Sequence, residues 1–262
     1  MITLVVAFPP EDGYNSPMPN SDSQQDALRV IERFDSLPWQ RRLEIFTGLS
    51  AEAREELVRV VANPGEIIRK IASEEMYLTI KEAGEQNAPA LISLTTGRQL
   101  IYVLDIELWK KDMFNAEAAA RWLEVLAESG EEKILQFIQG ADPELVLSAI
   151  KPFVKVSLRN PDQDLLEQQD SLPQFTLDDT FYVEFRVPHL EETLKSILDI
   201  IFRWNSHFYF GLMEHLSSGQ NLEDEEMALK WRKARLADKG FPEFDEALQI
   251  YSYLRRDRKS VV

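Results

Sequence analysis

The side chains best placed for chemistry lie near the end of the sequence. Trp231, Arg232, Arg235 and Asp238 fall within one predicted helix. Trp231, Arg235 and Asp238 stand at i, i+4 and i+7 and share a face, whereas Arg232 is offset by one position. A guanidinium in this setting has two uses. It can hold an anion or a carboxylate, with Asp238 at i+3 the nearest partner, or it can tie neighbouring helices together. The four residues therefore form the candidate binding patch. The competing structural use is expected to dominate, with Phe241-Pro242 setting the turn that follows.

Other chemistries find little support. The chain contains no cysteine, which removes disulfides, thiol catalysis and thiolate metal sites. Its histidines are His189, His207 and His215. No two stand at i, i+4, and no H-E-x-x-H is present. His189 and Glu192 lie one helical turn apart, but a surface histidine near a helix start is the expected role. The glycines are too dispersed for a Walker loop, a dinucleotide fingerprint or a nucleophile elbow. Glu223 to Glu226 and Asp178-Asp179 lack calcium-loop spacing and read as a solvated helix start and a turn. No catalytic residue, metal ligand or cofactor is assigned.

Composition narrows the partners. The 262 residues include 45 acidic and 29 basic side chains, for a formal charge of −16. Such a surface repels a phosphate backbone, so no nucleic acid is expected. The apolar run within Met1 to Pro10 is too short to span a bilayer and has no basic residue before it. Leu194 to Leu216 carries Lys195, Asp199, Arg203 and Glu214, which fits two core helices better than a membrane span. The expected setting is the cytoplasm, without membrane insertion. Oligomeric state is not readable.

The elements that must position these residues are mostly helical. Residues 1–25 form a Pro-, Asn- and Ser-rich leader, and Ile2 to Phe8 is a possible short strand. Residues 26–156 carry helical spacing, with Leu28, Ile31 and Phe34 first, and then Trp39, Leu43 and Phe46. Ser50 and Ser73 are expected N-caps. A shift of 46 residues superposes Met76 on Trp122, Tyr77 on Leu123, Ile80 on Leu126, Gly84 on Gly130, Ala88 on Ile134, Ile92 on Ile138, Leu100 on Val146 and Leu104 on Ile150. That period suits stacked helical hairpins of the solenoid type, with an irregular bundle as the alternative. Residues 157–173 form an acidic linker. The β signal lies near residues 174–187. There Phe175 and Leu177, and then Phe181, Val183, Phe185 and Val187, alternate with polar residues across Asp178-Asp179. This reads as one small hairpin that needs a further strand or a helical surface, and Ile2 to Phe8 is one candidate. Helices resume through residue 254. The last of these carries Phe244, Leu248 and Tyr251, and a basic tail fills residues 255–262. The expected fold is mostly α with one inserted β-hairpin.

The segment WRKARLADKGFPEFDEALQIY, Trp231 to Tyr251, resembles the C-terminal motif of an uncharacterised bacterial domain-of-unknown-function family. Trp231, Arg232, Arg235, Leu236, Ala237, Asp238, Gly240, Phe241, Pro242, Phe244, Glu246, Ala247, Leu248, Ile250 and Tyr251 match it. So do Tyr77 to Gly84, Asp105-Ile106-Glu107-Leu108-Trp109 and the aromatic strand Phe181 to Arg186. The resemblance covers roughly residues 35–254. It implies a mostly helical fold and no known activity. In repeat style the chain is also loosely similar to the helical cytoplasmic domain of MgtE-type magnesium transporters. The leading functional expectation is a non-enzymatic protein-interaction or scaffold module whose partner is another protein. The alternatives are an enzyme with a carboxylate and arginine pocket, and a domain responsive to divalent cations.

Overall fold

The computed structural model describes residues 22–162, 172–218, 222–242 and 246. The possible strand Ile2 to Phe8, the core of the acidic linker, the helix carrying Phe244, Leu248 and Tyr251, and the basic tail lie outside the described residues. Among the described residues the chain is mostly α. In order, the helices are α1 (Asp22–Ser36), α2 (Trp39–Gly48), α3 (Ala51–Val60), α4 (Pro64–Ile68), α5 (Ser73–Ala83), α6 (Pro89–Leu94), α7 (Gly97–Glu107), α8 (Ala116–Glu128), α9 (Glu131–Gly140), α10 (Pro143–Ile150), α11 (Glu191–Trp204), α12 (Ser206–Ser218) and α13 (Leu222–Ala237). No helix among them is long and apolar enough to cross a membrane.

The chain divides into two compact units. One comprises Met1–Leu104 with Arg121–Gly140, and the other Asp105–Ala120 with Ala141–Val262. The first unit has a core of short helices, in which Phe34, Phe46, Leu57, Ile68, Met76, Ile80, Leu91 and Ile92 are buried. Short helices bury their ends, and each end carries backbone groups with no partner inside the helix. Buried polar side chains meet this demand. Arg54 donates to the carbonyls of Phe46, Thr47 and Leu49 at the end of α2, and also to Glu75 and Thr79. Gln99 donates to the carbonyls of Ile68 and Ile71 after α4. The six-residue α6 is held at both ends. The Glu55 carboxylate accepts from the N–H groups of Ala90 and Leu91, while Lys133 Nζ donates to the carbonyl of Thr95 and to Gln136 Oε1 at 2.6 Å. Lys133 is 1% exposed. Burial lowers its pKa to about 8.

The 46-residue shift has a local counterpart. The apolar positions it superposes are buried in both copies, except that Tyr77 is half-buried where Leu123 is buried. Gly84 and Gly130 follow α5 and α8 with φ of +83° and +103°, in the left-handed region that glycine tolerates. The capping residues superpose as well. Thr96 Oγ1 accepts from Gln99 N–H, and 46 residues later Asp142 Oδ1 accepts from Leu145 N–H. Ser50 caps α3 as expected, accepting from Ala53 N–H at 3.4 Å. Ser73 does not cap. Ala72 is the N-cap of α5, and Ser73 is buried as the first helical residue.

In the second unit the expected hairpin is present as β4 (Phe175–Thr176) and β5 (Phe181–Phe185), both antiparallel. Asp178 Oδ1 accepts from Thr180 and Phe181 N–H and shapes the turn, with Asp179 at φ +56°. The sheet's remaining strand is β3 (Val154–Leu158), giving the order β3-β5-β4 with Val156 opposite Val183 and Leu158 opposite Phe181. The recruit is therefore a segment that crosses the expected end of the helical region at residue 156. A second hairpin, β1 (Trp109–Lys110) with β2 (Met113–Phe114), turns tightly through Lys111 at φ +59°. It adds a second β element to the single one expected. The segment Leu194 to Leu216 forms the helix pair α11 and α12. Leu194, Ile197, Leu198, Ile201, Tyr209, Leu212 and Met213 are buried in this pair.

Candidate functional site

Helix α13 begins with Glu223, Asp224 and Glu225 in its first turn, where carboxylates complement the helix dipole. Its inward face follows from spacing. Asp224, Ala228 and Leu236 are buried, and Arg232 and Arg235 are half-buried beside them. Asp224 is paired with Lys151 Nζ at 3.0 Å. The acidic run thus serves as a helix start with one anchored member.

Both arginines converge on Asp105, near the end of α7. Arg235 grips its carboxylate as a fork, with Nε to Oδ2 and Nη2 to Oδ1 each at 2.7 Å. Arg235 Nη1 donates to Asp142 Oδ2 at 2.8 Å. Asp142 thereby does two things at once, since its other oxygen caps α10. Arg232 Nε donates to the backbone carbonyl of Asp105 at 2.6 Å, one of the carbonyls a helix end leaves over. Its guanidinium lies 5.5 Å from the centre of the Trp109 ring, and Nη1 donates to the carbonyl of Lys111 in the β1–β2 turn. Lys233 pairs with Asp112 in the same turn at 3.1 Å.

The Asp105 side chain is 2% exposed and that of Arg235 31%. Burial raises the Asp105 carboxyl above the ordinary aspartate value, against the hydrogen bonds from Arg235. Burial also pulls on the Arg235 guanidinium, but its bonds to Asp105 and Asp142 outweigh that and leave it above its ordinary value. The geometry favours the second influence. Three charge-assisted bonds of 2.7 to 2.8 Å hold the pair ionised.

The four candidate residues therefore separate. Arg232 and Arg235 turn to one shared partner, although the sequence places them on different positions of the helix. Arg235 is engaged by Asp105 and Asp142 rather than by Asp238, because two preplaced carboxylates offer better geometry than an exposed i+3 neighbour. Trp231 and Asp238 are exposed, Trp231 at 45%. With Met227 and Ala234 it forms an exposed apolar stripe at i, i+4 and i+7 on the outward face. Nothing in the sequence spacing marks Asp105, Asp142 and the Lys111-Asp112 turn as partners of this helix. Only Asp142-Pro143 carried a local signal, that of an N-cap followed by proline.

His189 is exposed, and Glu192 is engaged by Lys195. Among the described residues no group of three or more His, Cys, Asp or Glu side chains lies close enough together to hold a metal ion. The family model described as a family of unknown function, DUF6178, matches residues 31–261. Comparison with curated proteins and with solved structures finds no match.

Proposed function

The chain belongs to this family of unknown function, and from that premise we propose that it is a cytoplasmic, non-enzymatic docking module. Its partner is a protein segment with an apolar face and basic flanks, taken up on the outward face of α13. One observation carries this reading. The helix that bears the family-like motif commits its arginines inward and leaves Trp231 and Met227 exposed outward. Exposed tryptophan is a favoured anchor at protein interfaces. The stripe is bordered by Glu223, Glu226 and Asp238 against Lys230, so the charge favours a basic partner. The enzymatic alternative needs a guanidinium free for substrate. Arg235 has three of a guanidinium's five donors committed internally.

A photo-crosslinking residue placed at position 231 of the full chain, in the native host, tests the proposal. The expected result is one dominant protein adduct. The purified partner should then bind Trp231→Glu at least tenfold more weakly, at unchanged melting temperature. Adducts that form from other surfaces but not from position 231, or a Trp231→Glu variant that binds as well as the parent, would overturn it.

A further inference from the structure

Beyond the docking surface, the second unit contains a cavity of about 340 Å³ framed by α10, α12 and the start of α13. This lies within the range of small-molecule sites, which are mostly apolar with a few placed polar groups. Leu147, Phe208 and Leu212 provide the apolar wall. Glu144 lines the same cavity, and its Oε2 is buried without a hydrogen-bond partner. A carboxylate oxygen removed from water in this way requires a donor to offset the cost.

Gly211, in the middle of α12, gives an independent indication. Glycine is the poorest helix former after proline. It is tolerated where a neighbour forbids a side chain, or where the backbone needs positive φ. Neither applies here. Gly211 is not among the glycines of positive φ, and a Cβ built on it would meet nothing within 4 Å. What the missing side chain leaves open is the cavity it lines.

We propose that this cavity is a binding site for a small organic cation, an ammonium group carrying an apolar ring. Its ammonium would meet the Glu144 carboxylate, and its ring would lie over Gly211 against Phe208 and Leu212. The lining side chains argue for a cation over an anion. They include the carboxylates of Glu144 and Asp224 and the imidazoles of His207 and His215 but no lysine or arginine, so the full formal charges on the lining are negative. His215 donates Nδ1–H to the carbonyl of Gly211 at 2.9 Å, and in the neutral ring Nε2 remains an acceptor. The aromatic face of Phe208 adds attraction for a cation.

The test is isothermal titration of the full chain with benzylammonium, with phenylacetate as the anionic counterpart. Benzylammonium is expected to bind in the millimolar range or tighter, and phenylacetate not to bind. Glu144→Gln should weaken benzylammonium at least tenfold. Gly211→Leu should abolish binding by filling the cavity, while the melting temperature holds or rises. Absence of benzylammonium binding at millimolar concentration, equal binding of phenylacetate, or binding that survives Gly211→Leu each overturns the proposal.

Discussion

Asp105→Ala and Arg235→Ala, made singly and together, test whether α13 is held by its arginine fork. Removing one partner of a buried pair costs about 3–5 kcal/mol, because the other charge stays behind uncompensated. The two changes should not cost the same. Without Asp105, the Arg235 side chain keeps Asp142 and is 31% exposed, so water can partly replace the loss. Asp105→Ala belongs at the low end, ~3 kcal/mol. Without Arg235, the carboxylate of Asp105 is left 2% exposed and without its forked partner, with Arg232, bound to the Asp105 backbone carbonyl, still nearby. Arg235→Ala belongs at the high end, ~5 kcal/mol at neutral pH.

This second deficit should shrink as pH falls. With burial opposed by the charge of Arg232 but no longer by Arg235, the folded-state pKa of Asp105 rises further above its unfolded value. The folded state then binds the proton more readily, and its relative stability is lost as pH climbs through that raised pKa. Urea unfolding followed by far-UV circular dichroism measures all four proteins, with the denaturant slope checked for constancy. The double variant should cost at least ~2 kcal/mol less than the two single costs added together, since the opposite charges of Asp105 and Arg235 leave together and Asp142 is the one carboxylate that loses its partner. Additivity to within ~0.5 kcal/mol would refute a coupled pair.

Two further outcomes are expected. The folded-state pKa of Lys133, about 8, lies below the ordinary 10.5, so the unfolded chain binds the extra proton between those values. Stability of the parent relative to Lys133→Met should therefore rise with pH across that window, by up to ~3 kcal/mol, and a flat difference would show that the ammonium is not disfavoured by burial. Gly130→Ala should lower stability by ~1–2 kcal/mol through its positive φ alone, since no neighbour crowds it, whereas Gly211→Ala should raise stability by up to ~1 kcal/mol. Equal effects in thermal unfolding would show that backbone conformation does not separate the two glycines.

What periodicity can report, it reported. Helical spacing located α11 and α12, and alternation located β4 and β5. The 46-residue shift brings together two glycines of positive φ, Gly84 and Gly130. Strand β3 escaped because Val154 to Leu158 is brief, follows a helical run directly, and pairs with residues far along the chain. The β1–β2 hairpin has two residues per strand, too few for a period to register. Lys133 reads as polar in any pattern, and only a buried helix end nearby explains why it lies inside.

The same distinction governs the candidate site. The motif shows which side chains are on α13 but not what they meet, since Asp105 and Asp142 lie 130 and 93 residues from Arg235. Face assignment by spacing could therefore not assign Arg232 and Arg235 to one partner.

The order in which the two units use the chain bears on how the protein emerges from the ribosome. The first unit is interrupted after Leu104 and completed only with Gly140, by which point the opening stretch of the second, Asp105–Ala120, has already been made. That stretch carries Asp105 and waits for Arg235, which is translated much later. In a nascent chain Asp105 therefore stays in water, at no desolvation cost, until Arg235 has been made and the two charges can be buried together.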